Sequence, residues 1–418
     1  MRAQPRGWAL ALLMCVAACA SPAPRFAAGG PDADELGARA GYPKGGRGTF
    51  FDVGSIVGSF SHLDEIFSSR LIHKAPMPSR LVRVAEPRIT WRFQGAELTL
   101  DDYLARTPTT GLLIARGDAI LVERYQYGRT DQHRLTSWSM AKTVTAMLVG
   151  IAIAEGHIRS IEDRADAYVA ELAGTEYGKT SLRHLLQMSS GVRFREEYTY
   201  ADDATRLSVD TFLQDGAGGP SVVTQFNERA ASAGSKFSYA SAETQVLGLV
   251  LRAATNRPPA EYFESRIWQP IGAEADATWL VDRSGQEATF CCLNAVLRDY
   301  ARLGLLLAHD GSWRGRQIIP AAWVLEATTT RPDQARLWPG VATPFFGYGY
   351  QTWIVPSWIV PGDRRMFMLW GVRGQRIYVD PQSKLVMVNT AVHKRPVDLA
   401  TLRETDALWT ALVSRLGG

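Results

Sequence analysis

The chain has 418 residues, 46 Lys+Arg against 42 Asp+Glu, and a formal charge of +4. Hydrophobic residues make up 46 % and charged residues 21 %, which excludes a disordered chain, a collagen-like repeat and a polytopic membrane protein. The positive excess is not gathered into a Lys/Arg run, so a nucleic-acid-binding stripe is excluded too, and the length predicts two to three domains.

At the amino terminus, Arg2 and Arg6 precede the apolar run Trp8–Ala18, which is followed by Cys19-Ala-Ser-Pro-Ala-Pro. A basic start and an apolar stretch of this length fit a secretory signal and are too short to span a bilayer. Val16-Ala17-Ala18-Cys19 has the form of a bacterial lipobox. On that reading residues 1–18 are discarded, Cys19 carries a lipid, and the exported protein faces the periplasm with this anchor as its one membrane contact. The alternative is an ordinary signal cleaved nearby after small residues. Residues 19–85 are rich in Gly, Ser and Pro and weakly patterned, which predicts a tether and a surface extension.

A hairpin is predicted next, Gly111–Ala115 and Ala119–Tyr125 around Arg116-Gly117-Asp118. Ser139 to Glu155 reads as a helix, apolar on nearly all sides and therefore buried, and ended by Gly156. Residues 161–270 are mostly helical in pattern, with polar loops at Ser189–Asp203 and Asp215–Pro220. Strands return at Phe346–Val355, Arg365–Gly371, Gln375–Pro381 and Lys384–Val392. A closing helix, Val397 to Leu416, carries leucines at helical spacing. The expected fold is therefore α/β (α+β): an antiparallel sheet from residues 86–165 plus 275–418, flanked by helices, with a mainly helical insertion at 166–274.

Cys291 and Cys292 are adjacent. Neighbouring cysteines rarely bond to each other, and no further Cys or His lies nearby at metal-ligand spacing, so they read as buried small hydrophobes. No metal site and no cofactor is expected.

There is no G-x-S-x-G elbow, H-E-x-x-H or P-loop lysine motif. What remains is Ser139-Met-Ala-Lys142. Positions i and i+3 share a helix face, so the serine hydroxyl and the lysine amine can meet, and burial among apolar neighbours favours the neutral amine that serves as a base. The same spacing also arises by chance. One hundred residues on stands Tyr239-Ala-Ser241. There a tyrosine beside a lysine can shuttle a proton, or the segment is an ordinary helix start. Gly371-Val-Arg-Gly374-Gln375 lies between two apolar strands; such glycines admit a ligand or mark a bulge.

The order S-x-x-K, Y-x-S and a Gly-rich strand resembles the serine β-lactamase and penicillin-binding-protein superfamily. It is most similar to the class C, esterase-like branch and the aminohexanoate-oligomer hydrolases within it. TSWSMAKT, MSSGVRF, SYASAETQVLG, LNAVLRDYARLG and WGVRGQRIYVDP carry the likeness. The resemblance implies Ser139 as acylated nucleophile, Lys142 as its base and Tyr239 as proton carrier, with the backbone N–H groups of Ser139 and Val372 as the oxyanion hole. It implies substrate contacts from Tyr198, Ser241, Trp370 and Gly371, and Arg373 is a candidate clamp for an anion. The third-strand triplet is Leu369-Trp370-Gly371, without the cation of β-lactamases and DD-peptidases, and Ser241 stands where many β-lactamases carry Asn. Both departures favour a serine hydrolase of small esters or linear amides. The alternatives are a β-lactamase or DD-peptidase acting on cell-wall peptides, and a non-catalytic envelope lipoprotein that binds without reacting.

Overall fold

A computed structural model of the chain describes residues 23–213, 216–357, 359 and 364–417. The signal-like run and Cys19 lie outside them. The main sheet takes its strands from both ends of the chain: β1 (Arg25–Phe26), β2 (Val82–Arg83), β3 (Thr109–Arg116), β4 (Ala119–Tyr125), β5 (Gly347–Tyr348), β6 (Trp353–Val355), β7 (Met366–Gly371), β8 (Gln375–Asp380) and β9 (Leu385–Ala391). Their order is β1-β4-β3-β9-β8-β7-β6-β5, with β2 also on β4. The β3–β4 hairpin turns at Gly117-Asp118, as its residues predict. Every pairing is antiparallel except those of β1 and β2, which lie parallel along the two ends of β4.

The longer strands alternate between two cores. Phe367 and Leu369 of β7 pack on one face with α1 (Met140–Ala154), α2 (Ser241–Thr255) and α3 (Leu297–Ala308). Met366, Met368 and Trp370 face the other core, closed by α4 (Leu399–Leu416). Gly304 lets α3 lie close on the sheet, since a Cβ there would stand 2.6 Å from Val386. α1 is buried over Met140–Ala152, so its all-round apolar character reports a central helix. No helix among the described residues is long and apolar enough to cross a membrane.

The stretch read as a surface extension is built into the body. Ile56, Val57 and Phe60 are buried in a core shared with Tyr127 and Val392. Ser69–Ile72 forms the edge of a second antiparallel sheet, followed in order by Ala277–Leu280, Leu293–Ala295 and Leu135–Thr136. The correction has a physical cause. Its apolar residues fall on pieces too short to show a period, such as the five-residue helix Ile56–Phe60 and the four-residue strand Ser69–Ile72.

Candidate active site

Ser139 is the N-cap of α1, with φ −67° and ψ −3°, and is partly exposed. One helical turn brings the Lys142 Nζ to 3.0 Å from the Ser139 Oγ. The same Nζ donates to the Ser241 Oγ at 2.9 Å and to the Phe290 carbonyl at 2.9 Å. Lys142 is 1 % exposed. Burial lowers its pKa to about 8, against the Glu196 charge, which raises it. Desolvation disfavours the ammonium more than one carboxylate favours it.

The second motif closes the corner. The Tyr239 ring lies with its centroid 5.0 Å from the Lys142 Nζ and stacks on Trp353 at 5.5 Å. Burial, with the Glu196 charge adding to it, pushes the phenol well above its ordinary pKa, opposed by its hydrogen bond with Ser139. Tyr239 is thus a neutral phenol at neutral pH. Ser241, at the start of α2, accepts from Lys142 and donates its Oγ–H to Glu196 at 2.8 Å, while its N–H donates to the other Glu196 oxygen at 2.7 Å. Tyr198 donates to the same carboxylate at 3.0 Å and lines the cavity in front of Ser139.

The third motif contributes backbone. A Cβ on Gly371 would stand 2.4 Å from the Ser137 carbonyl oxygen. Only glycine lets the end of β7 press against the segment that leads into Ser139, so this residue serves a close backbone approach and not a ligand. Val372 follows it into the cavity wall beside Ser139. Among the described residues, no acceptor takes the N–H of Ser139 or of Val372. Two expected contacts are corrected. Arg373 is 4 % exposed, and its guanidinium donates to the carbonyls of His393 and Lys394 and to the Tyr200 hydroxyl, so it is a clasp between loops and not an open anion clamp. Trp370 lies on the outer side of β7 against Trp353 and Phe346, away from the cavity.

The cavity has a volume of about 470 Å³, within the range of small-molecule sites. Its far wall is a chain of rings: Phe50 to Phe67 at 5.1 Å, Phe67 to Phe212 at 5.6 Å, and Phe212 to Phe290 at 6.2 Å between centroids.

A family model described as Beta-lactamase matches residues 97–408. The chain belongs to the beta-lactamase family. It is 26 % identical over 296 residues to the 6-aminohexanoate-dimer hydrolase of Paenarthrobacter ureafaciens, covering 69 % of this chain and 74 % of that one. A Bacillus anthracis structure assigned provisionally as a 6-aminohexanoate-dimer hydrolase superposes with a TM-score of 0.78 at 24 % identity, over 93 % of this chain and 100 % of the other. A penicillin-binding-protein homologue from Caulobacter crescentus gives a TM-score of 0.56 at 16 % identity, over 74 % of this chain and 94 % of its own. The chain is therefore a hydrolase of beta-lactamase fold.

Beta-lactamase-family motifs account for the reacting corner; three other features were not read from the sequence. Glu196 sits in a polar loop two residues before Tyr198, and no spacing links it to Ser241. Phe50, Phe51 and Phe67 belong to the segment taken for an extension, yet all three line the cavity. Cys291 and Cys292, taken for separate packing thiols, are joined in a disulfide and line the same wall. That reading is corrected: the general rarity of adjacent pairs does not hold where the backbone places both side chains together.

Proposed function

We propose that this hydrolase cleaves esters or linear amides through an acyl-Ser139 intermediate. The carrying observation is the buried Lys142 amine held 3.0 Å from a partly exposed serine at the cavity wall. In its neutral form Lys142 takes the Ser139 proton as the oxygen attacks the carbonyl carbon. The developing oxyanion is received by the free N–H groups of Ser139 and Val372; one such donor is worth about a hundred- to thousandfold in rate. Tyr239 gives its proton to the departing oxygen or nitrogen, and the phenolate left behind is stabilised by the Lys142 ammonium beside its ring. The phenolate then takes a proton from water, the hydroxide attacks the acyl carbon, and Lys142 returns its proton to Ser139.

The aromatic wall supports an apolar acyl group. The name of the Paenarthrobacter relative supports linear amides as one substrate class. The lipobox-like sequence supports an exported protein anchored through Cys19.

The test is covalent labelling of the purified protein with a fluorophosphonate, alongside p-nitrophenyl esters, linear amides and a chromogenic cephalosporin. Labelling at Ser139 with ester or amide turnover and an untouched cephalosporin is the expected result. No labelling of folded protein would favour a binding module, and cephalosporin turnover would favour the lactamase reading.

A further inference from the structure

The mechanism above leaves the Cys291–Cys292 disulfide without a part, yet the segment that contains it is tied at both ends to the reacting corner. At one end, the Phe290 carbonyl accepts from the Lys142 Nζ at 2.9 Å. At the other, the Leu293 carbonyl accepts the Ser137 N–H at 2.8 Å and the Leu293 N–H donates to the Ser137 Oγ at 3.0 Å, two residues before Ser139. Only the two cysteines stand between these anchors. Cys292 holds φ at 68°, in the left-handed region that side chains with a Cβ adopt reluctantly. The disulfide closes a small ring across this peptide unit and removes the freedom by which it would relax. The rest of the strip is fixed as well: the Cys291 carbonyl accepts the Trp279 indole N–H at 2.8 Å, and the Cys292 carbonyl accepts the Leu280 N–H at 3.2 Å. The Phe290 carbonyl is thereby held at a set place relative to Ser137, and with it the lysine that must face the serine.

We propose that the Cys291–Cys292 disulfide is a positioning element that holds Lys142 against Ser139 through the Phe290 carbonyl, and that a reductant entering the cavity slows the enzyme by opening it. The inference rests on the serine-hydrolase reading above. Both cysteines border the cavity at 3 % and 0 % exposure, so reduction by a phosphine is expected to be slow and is followed to completion by the thiol count. In the reduction the S–S bond breaks, two S–H bonds form with protons from water, and the phosphine leaves as its oxide, so the two electrons balance.

The experiment uses the oxidised protein, p-nitrophenyl butyrate and tris(2-carboxyethyl)phosphine, with the two new thiols counted by alkylation and mass spectrometry. On reduction, kcat and the rate of fluorophosphonate labelling are expected to fall together by about five- to tenfold, as a sub-ångström misplacement of a base would cause. KM should stay within twofold, and reoxidation with diamide should restore the rate. The double variant Cys291→Ala/Cys292→Ala should show the same loss and no response to the phosphine; it decides the matter where the phosphine leaves the bond intact. Unchanged kcat in the reduced protein or in the folded double variant overturns the proposal. So does a raised KM at constant kcat, which would make the sulfurs a substrate contact. If the oxidised protein neither labels nor turns over ester, the hydrolase reading itself has failed, a result distinct from both.

Discussion

The two sides of the cavity are built on opposite principles. The reacting corner is dense and polar: the Lys142 amine meets three oxygen acceptors, and Glu196 receives three donors from Ser241 and Tyr198. Ser139, Lys142 and Ser241 are placed by the first turns of α1 and α2, and Glu196 and Tyr198 by the loop that faces them. The facing wall presents rings to the cavity, and its side chains meet without hydrogen bonds. Its four phenylalanines come from segments as far apart as residues 50 and 290 and meet through ring contacts, and Phe290 joins the two sides because its carbonyl also holds Lys142. The proposed mechanism thus places chemistry where hydrogen bonds fix the geometry and selectivity on a surface that can be changed one ring at a time.

If the division is real, substitutions in the corner will lower kcat and substitutions in the wall will move KM with substrate size. Ser139→Ala should have the largest effect, removing fluorophosphonate labelling and at least about ten-thousandfold of ester turnover. Gly371→Ala comes next. The methyl would collide with the Ser137 carbonyl and displace the Val372 N–H, so kcat should fall about a hundredfold while circular dichroism stays native. A loss confined to KM would break the comparison on the corner side.

The pH profile gives a third measurement. On the proposed mechanism Lys142 is a base only when neutral, so kcat/KM should rise with pH through about 8. Glu196→Gln removes the charge that raises this pKa, which moves the acid limb to lower pH and raises kcat/KM on that limb. A shift to higher pH would mean that Glu196 acts through the loop and not through its charge. On the wall, Phe212→Ala should raise KM for a hexanoate ester about tenfold, in line with one to two kcal/mol of lost apolar contact, and leave the acetate within twofold. Smallest of all, Trp370→Leu should alter neither chain-length preference nor KM beyond about twofold, since the ring lies in the other core.

The same contrast explains what was legible in the sequence. Ser139 and Lys142 meet because of i,i+3 spacing, and the β3–β4 hairpin because of its turn residues; both are local relations that a linear text carries. Trp370 went to the wrong side because strand alternation decides it, and Leu369 takes the face toward α1. Arg373 read as an available cation because nothing near it in sequence shows the His393 and Lys394 carbonyls that hold it. Phe50, Phe51 and Phe67 were invisible as wall residues for a similar reason: they stand in a Gly-, Ser- and Pro-rich stretch without a period, and what makes them a wall is the contact of Phe67 with the distant Phe212.

The two-residue strand β1 sets a distance. It ties the chain to the outer strand β4 at Arg25, six positions after Cys19. Fully extended, that leash reaches only about 20 Å, at no more than about 3.5 Å per residue. A lipid on Cys19 would therefore keep the hydrolase moored close to the bilayer by the β4 edge of its sheet, instead of letting it roam on a line of more than sixty residues. Substrates would have to come to the envelope surface to be cleaved.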